Sequence, residues 1–175
     1  HPVAHSFPTR RSSDLQKAAR EAKAHTSWTR VEAGYEKSLH SFIQALYQNQ
    51  AFMSELQTLV REIEYAGYIN SLSQTLLKLT CPGVPDMYQG TELWDFSLVD
   101  PDNRRPVDYA MRSTLLSEMA DLSLQQIMDR ISEGLPKLWL VSQALHLRRK
   151  MPEIFGPAGS YEPLAVKGGK AAHVL

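Results

Sequence analysis

Apolar residues recur at helical spacing over most of this chain, and turn-forming residues cut the pattern into separate stretches. Residues 16–25, QKAAREAKAH, are rich in Ala, Lys, Glu and Gln, which lose little side-chain freedom in a helix. A helix is expected there, stopping near Thr26 and Ser27. Thr29 with Glu32 three positions on is a capping-box pattern. It predicts a second helix running to about Gln50, with Leu39, Phe42, Ile43 and Leu46 on one face. Phe52, Leu56, Leu59 and Ile63 carry the spacing on to Tyr65. Gly67 is expected to break or bend the run, and Ile69, Leu72, Leu76 and Leu79 then form a further stripe, ended by Cys81-Pro82-Gly83.

Beyond that point the period changes. Val84–Tyr88 is apolar but too short for a helix between its prolines and Gly90, and suits a buried parallel strand. Pro85 is awkward in such a strand because it donates nothing to a ladder. Pro106 is suited to a helix start, and Val107, Met111, Leu115, Met119 and Leu122 mark the buried side of that helix. Ser123 with Gln126 predicts another capped helix, ending at Gly134. Pro136 to Met151 is expected to be helical, with Leu138, Val141 and Leu145 as its stripe. Arg148, Arg149 and Lys150 complement its C-terminal dipole, a structural role preferred over phosphate binding. After Pro152, residues 160–175 suggest strand, Gly168-Gly169 turn, strand, and a domain boundary is expected near Phe155 to Gly159.

Composition narrows the choice of partner. The chain has 175 residues, 43% apolar and 22% charged, enough for a domain with a core. Its 19 basic and 19 acidic residues give zero net charge, which predicts attraction to neither nucleic acid nor an anionic membrane. A neutral partner is expected. The longest apolar runs fall well short of the roughly 20 residues that cross a bilayer. Cys81 is alone, so no internal disulfide forms; a cytoplasmic location and a small-hydrophobe role for this thiol follow. The histidines are scattered, with no HExxH or CxxC company, and no glycine-rich phosphate loop is present. Neither a metal nor a cofactor is expected.

The chemistry-bearing residues concentrate in the loop after Val84–Tyr88. Gln89, Glu92, Asp95, Asp100, Asp102 and Asn103 offer acceptors and amide donors, Arg104 and Arg105 offer forked donors, and Trp94 offers a ring face. Such a set suits sugar hydroxyls, although carboxylate–guanidinium pairs and local turn bonds could equally hold the loop in shape. Pro101, Asp102 and Asn103 read as a tight turn.

The wording of this region, PGVPDMYQG then TELWDFSLVDPDNRRPVDY, with NSLSQTLLKLT and KAAREAKAHTSW before it, resembles the α-amylase clan of glycoside hydrolases. Within that clan it is most similar to the maltooligosyl trehalose synthase family. The resemblance implies a fragment of an α/β (β/α)8 barrel, mostly α-helical in this piece, followed by the start of a C-terminal β-sandwich. It decides for a strand at Val84–Tyr88, as the last of the barrel. Substrate meets such barrels at the loops after the strands, so Tyr88, Gln89, Glu92, Trp94, Asp95, Asp102, Asn103, Arg104 and Arg105 are implied substrate contacts. The implied substrate is a maltooligosaccharide, whose reducing-end α-1,4 linkage becomes α,α-1,1. Glu92 and Asp95 are not assigned as a catalytic pair, because the resembled enzymes carry their three catalytic carboxylates on earlier strands. Lys17, Arg20, Glu21, Lys23 and Trp28 are further candidates for lining a cleft. A trehalose synthase or oligo-α-glucosidase of the same clan is the alternative enzyme, and a non-enzymatic helical interaction module the alternative of another class.

Three regions are therefore expected. Residues 1–15, including the adapter-like HSFPTRRSSDL, form a non-native leader outside the fold. Residues 16–155 are the C-terminal part of a catalytic barrel with a helical insert, and 156–175 begin a β domain cut off in its second strand. One barrel strand without neighbours should lie exposed or mispaired, giving an inactive, marginally stable, mostly helical object.

Overall fold

The computed structural model describes residues 7–96, 106–162 and 164–171, with side chains from Leu15 onward. Helices α1 (Phe7–Ala22), α2 (Ala33–Gln48), α3 (Gln50–Thr80), α4 (Tyr109–Glu118), α5 (Leu124–Asp129), α6 (Leu135–Lys150) and α7 (Pro152–Phe155) are joined by irregular segments, with 3₁₀ turns at Met119–Asp121 and Ile131–Glu133. The described residues fall into two compact units. One holds α1, α2 and α3 as far as Gly67; the other holds Tyr68–Trp94 and everything described from Asp108 onward.

In the first unit, α1 begins at Phe7, inside the stretch expected to lie outside the fold, and ends at Ala22 rather than His25. Pro8 falls in its first turn, where a missing N–H is tolerated, and Lys23 ends it in a left-handed conformation, φ 56°. The capping box expected at Thr29 does not form. The N-cap of α2 is Glu32, with no side-chain cap bond. Its partners lie in the preceding turn instead: Thr26 Oγ1 accepts the Glu32 N–H at 3.1 Å, Ser27 Oγ accepts the Arg30 N–H at 2.9 Å, and Arg30 donates to the Glu32 carboxylate. Local hydroxyl-to-backbone bonds thus take the residues that a cap would have used.

Helix α3 runs unbroken for 31 residues, so Gly67 neither breaks nor bends the element as expected. A single helical glycine is disfavoured by only about 1 kcal/mol relative to alanine, too little to interrupt a ladder that continues on both sides. Cys81-Pro82-Gly83 ends the helix, as the sequence indicated.

The second unit contains every buried apolar side chain among the described residues. One cluster comprises Leu93, Leu115, Met119, Ile127, Leu135 and Leu138, with Leu122 and Trp139 against it. The other comprises Leu79, Val141 and Ala144, with Met87 against it. Helix α6 serves both, which makes it the centre of the unit. Its buried row is Leu138, Val141 and Ala144, whereas Leu145 of the expected stripe is exposed; at about 100° per residue it falls between Leu138 and Val141 around the axis, so its exposure reflects what covers that end of the helix and not the side on which it lies. Helix α5 starts with the full capping box of Ser123 and Gln126. Gly134, φ 84°, ends the following 3₁₀ turn in the left-handed region, where a glycine has no steric penalty. Helix α4 starts at Tyr109, three positions later than Pro106 suggested, and is capped by Asp108, whose side chain accepts from the Met111 N–H at 2.8 Å.

No β-strand is present among the described residues, which corrects two expectations. Val84–Tyr88 is irregular, with Val84 98% exposed; a strand is defined by its ladder, and this segment has no strand beside it to pair with. The described part of 160–171 is likewise irregular, closed by a turn in which the Ala171 N–H reaches the Gly168 carbonyl at 3.1 Å. The rest of the expected hairpin lies outside the described residues.

Candidate functional site

The loop from Tyr88 to Trp94 is built as a fixed turn rather than a loose rim. Gly90 has φ 91°, and both the N–H and the Oγ1 of Thr91 donate to the Tyr88 carbonyl, at 3.1 and 2.6 Å. Arg112 of α4 reaches across to it, donating from Nε to Glu92 at 3.1 Å and from one terminal nitrogen to the Gly90 carbonyl at 2.9 Å. Lys137 of α6 donates to the Leu93 carbonyl at 3.2 Å. Gly134 makes room for the far end: a Cβ there would stand 3.1 Å from the Trp94 nitrogen and 3.2 Å from Leu93.

Each expected contact residue has a definite setting. Tyr88, 47% exposed, and Gln89 project from the turn, and Asp95 is exposed beyond it. Glu92 is partly buried in its ion pair with Arg112. Trp94 stacks on Tyr68 with ring centroids 4.8 Å apart, donates Nε1–H to the Ile131 carbonyl at 2.5 Å, and has the Lys137 ammonium 5.6 Å from its centroid. Its ring therefore anchors the loop, where sequence reasoning saw an open face. Asp102, Asn103, Arg104 and Arg105, with Asp100 and the Pro101 turn, lie outside the described residues. Sequence reasoning missed Arg112, Lys137 and Tyr68, each at least 20 positions from its partner, where no local pattern reports a contact.

In the first unit a second polar centre forms around Glu36. Arg20 donates to its carboxylate from Nε and Nη2 at 2.7 and 2.8 Å, Gln16 donates at 2.6 Å and Thr26 at 2.8 Å. The hydrogen bonds from Arg20 first, then from Gln16 and Thr26, hold the Glu36 carboxyl at about 2, against an ordinary value near 4.5. The Arg20 guanidinium also lies 4.9 Å from the Trp28 ring centroid. Of the suggested cleft residues, Arg20 is thus committed to Glu36, Lys17 lies 3.7 Å from Glu21, and Lys23 terminates α1. Beside this centre, Leu15, Gln16, Glu36, Lys37, Leu39, His40 and Ile43 line a hollow of about 260 Å³. Among the described residues, no group of three His, Cys, Asp or Glu side chains could hold a metal, and no helix is long and apolar enough to cross a membrane.

Comparison with known proteins gives this geometry its context. No family model matches the chain. Proteins from two strains of Mycobacterium tuberculosis, each named "Putative maltooligosyl trehalose synthase", are 42% identical to it over 160 residues, covering 91% of this chain and 19% of the relative. The solved maltooligosyltrehalose synthase of Arthrobacter ramosus has a TM-score of 0.82 at 40% identity, covering 97% of this chain and 22% of that one. A hypothetical maltooligosyl trehalose synthase of Sulfolobus tokodaii has a TM-score of 0.77 at 35% identity, covering 93% and 22%. In sequence and in fold, this chain is similar to one segment of proteins named maltooligosyl trehalose synthase. It spans about a fifth of the length of the curated relatives it matches.

Proposed function

We propose that this chain is a segment of an intramolecular transglycosylase that converts the reducing-end α-1,4 linkage of a maltooligosaccharide to α,α-1,1, giving maltooligosyl trehalose. The likeness to proteins of that name over nearly the whole chain carries the reading. The chemistry would be two displacements at the anomeric carbon with net retention, the acid and the nucleophile lying in parts of the protein beyond this segment. Alone, the segment would be inactive.

Its own contribution would be positional. For transfer to outpace hydrolysis, the freed glucose must be held in a turned orientation while water is kept away. A turn fixed by Arg112, Lys137 and Trp94 supports this role, because sugar-binding groups presented from a rigid frame lose less entropy on binding. Tyr88, Gln89 and Asp95 would contact the sugar, together with Asp102, Asn103, Arg104 and Arg105, while Glu92 and Trp94 hold the frame.

A chimaera tests the proposal: the Mycobacterium tuberculosis relative with its matching segment replaced by this chain. Given a maltooligosaccharide, it should remove reducing ends without releasing glucose. Release of glucose with new reducing ends would instead identify an oligo-α-glucosidase, and a folded chimaera that leaves the oligosaccharide untouched while its parent converts it would refute the assignment. Changing Gln89 to Ala should divert product towards hydrolysis by about tenfold, the loss of a hydrogen bond or two to the sugar.

A further inference from the structure

One cation of the second unit has a task that its own helix does not explain. Arg148 lies in the last turn of α6, where charge complements that helix's dipole, and Arg149 and Lys150 beside it fit the same account. Its guanidinium, however, turns away to another element. One terminal nitrogen donates to the carbonyls of both Leu79 and Cys81 at 2.9 Å, and the other donates to the carbonyl of Gly83. The guanidinium also sits 5.0 Å from the Phe155 ring centroid. Leu79 lies in the last turn of α3, where carbonyls lack helical partners, Cys81 directly follows that helix, and Gly83 is the residue whose φ of 106° sets the direction of the chain beyond it. The Gly83 N–H donates to the Phe155 carbonyl at 3.1 Å, so the peptides on either side of Gly83 are each held.

We infer that Arg148 is a positioning residue for the candidate sugar-binding turn: it locks the exit from α3 and thereby fixes the path along which Val84 to Trp94 leaves the helix. The inference rests on the reading that this turn faces a maltooligosaccharide. Only a planar fork with several N–H groups reaches three carbonyls of one bend together. A lysine supplies the charge without that spread, and an alanine supplies neither. Tyr88 and Gln89 follow the bend after the four residues Val84 to Met87, so a change of direction at Gly83 is passed on to them, whereas Arg112 and Lys137 hold the turn only from Gly90 onward.

The test uses the chimaera described above, with Arg148→Ala, Arg148→Lys and, as a neighbouring control, Arg149→Ala. Two readouts are taken: hydrogen exchange of the amides from Cys81 to Thr91, and kcat and KM for oligosaccharide conversion. Arg148→Ala should speed exchange in that segment by about tenfold or more, the loss of charge-assisted hydrogen bonds, while amides near Ile127 and Leu138 stay as protected as before. It should raise KM and increase the hydrolysed fraction. Arg148→Lys should fall between, and Arg149→Ala should change nothing. If Arg148→Ala fails to fold, Arg148→Lys gives the same reading, with accelerated exchange confined to residues 81–91. Unchanged exchange there, or an equal loss of protection throughout the unit, would overturn the inference. Accelerated exchange in a chimaera that never forms a non-reducing product would sink the proposed function and leave the positioning role standing.

Discussion

Residues 33–66 and residues 115–144 carry apolar stripes of the same kind, and their fates differ. In the second stretch Leu115, Met119, Ile127, Leu135, Leu138, Val141 and Ala144 are buried. In the first, Phe42, Phe52, Leu56, Leu59 and Ile63 are all exposed, although the spacing is as regular. Periodicity reports the side on which a helix is prepared to bury apolar atoms, not whether a partner is present. The second stretch folds back on itself through two short turns, and brings its own partners. Helix α2 half-buries Leu39, Ile43 and Leu46, while the stripe of α3 from Phe52 to Ile63 stays exposed.

The strongest way to break this comparison is a pair of truncations. Leu135→Ala, at a site with 0% exposure, should destabilise the second unit by about 2–5 kcal/mol, read by urea unfolding through the fluorescence of Trp139. Leu59→Ala, on the exposed stripe, should change stability by less than about 0.5 kcal/mol. Equal effects would mean that both stripes are packed. The two glycines sharpen the same contrast. Gly134→Ala meets both a left-handed backbone and the Leu93–Trp94 chain at 3.1–3.2 Å, and should destabilise by about 1–3 kcal/mol. Ser123→Ala should remove the capping box of α5 at about 1 kcal/mol. Gly67→Ala has no atom within 4 Å to meet, and should stabilise α3 by about 0.5–1 kcal/mol.

The smallest effect concerns acid. Glu36 has a folded pKa of about 2, below its unfolded value, so the network around it contributes fully above the ordinary carboxylate range near 4.5. The contribution is lost as pH falls from there towards 2, where the folded carboxylate takes up its proton. Thermal unfolding followed down through that window should show the first unit weakening, and Glu36→Gln should flatten the dependence there.

What the sequence disclosed follows from how far each signal reaches. The Ser123–Gln126 box was legible because both partners sit within one turn, but the helix it opens ends at Asp129 and Gly134 closes a separate 3₁₀ turn instead. Thr29 and Glu32 carried the same box pattern and misled, because Thr26 takes the Glu32 N–H that the box would have used. Val84–Tyr88 was read as a strand from composition and resemblance, but a ladder depends on a neighbour that composition does not supply. In the candidate site, Tyr88, Gln89, Glu92, Trp94 and Asp95 were legible as a polar loop. That Trp94 and Glu92 secure it was not, since Tyr68, Arg112 and Lys137 are brought there by the folding of α3, α4 and α6.

Tyr68 and Leu79 belong to the same stretch of α3 and are eleven positions apart. At about 100° and 1.5 Å per residue, that separation brings them to within about 20° of one another around the axis, three turns and roughly 16 Å along it. One engages Trp94 and the other engages Val141 and Ala144, so the interval acts as a ruler with marks one turn apart. Deleting or adding a single residue between them would rotate one contact out of reach while the other held. Homologous chains should therefore keep this interval constant in length even where its composition drifts.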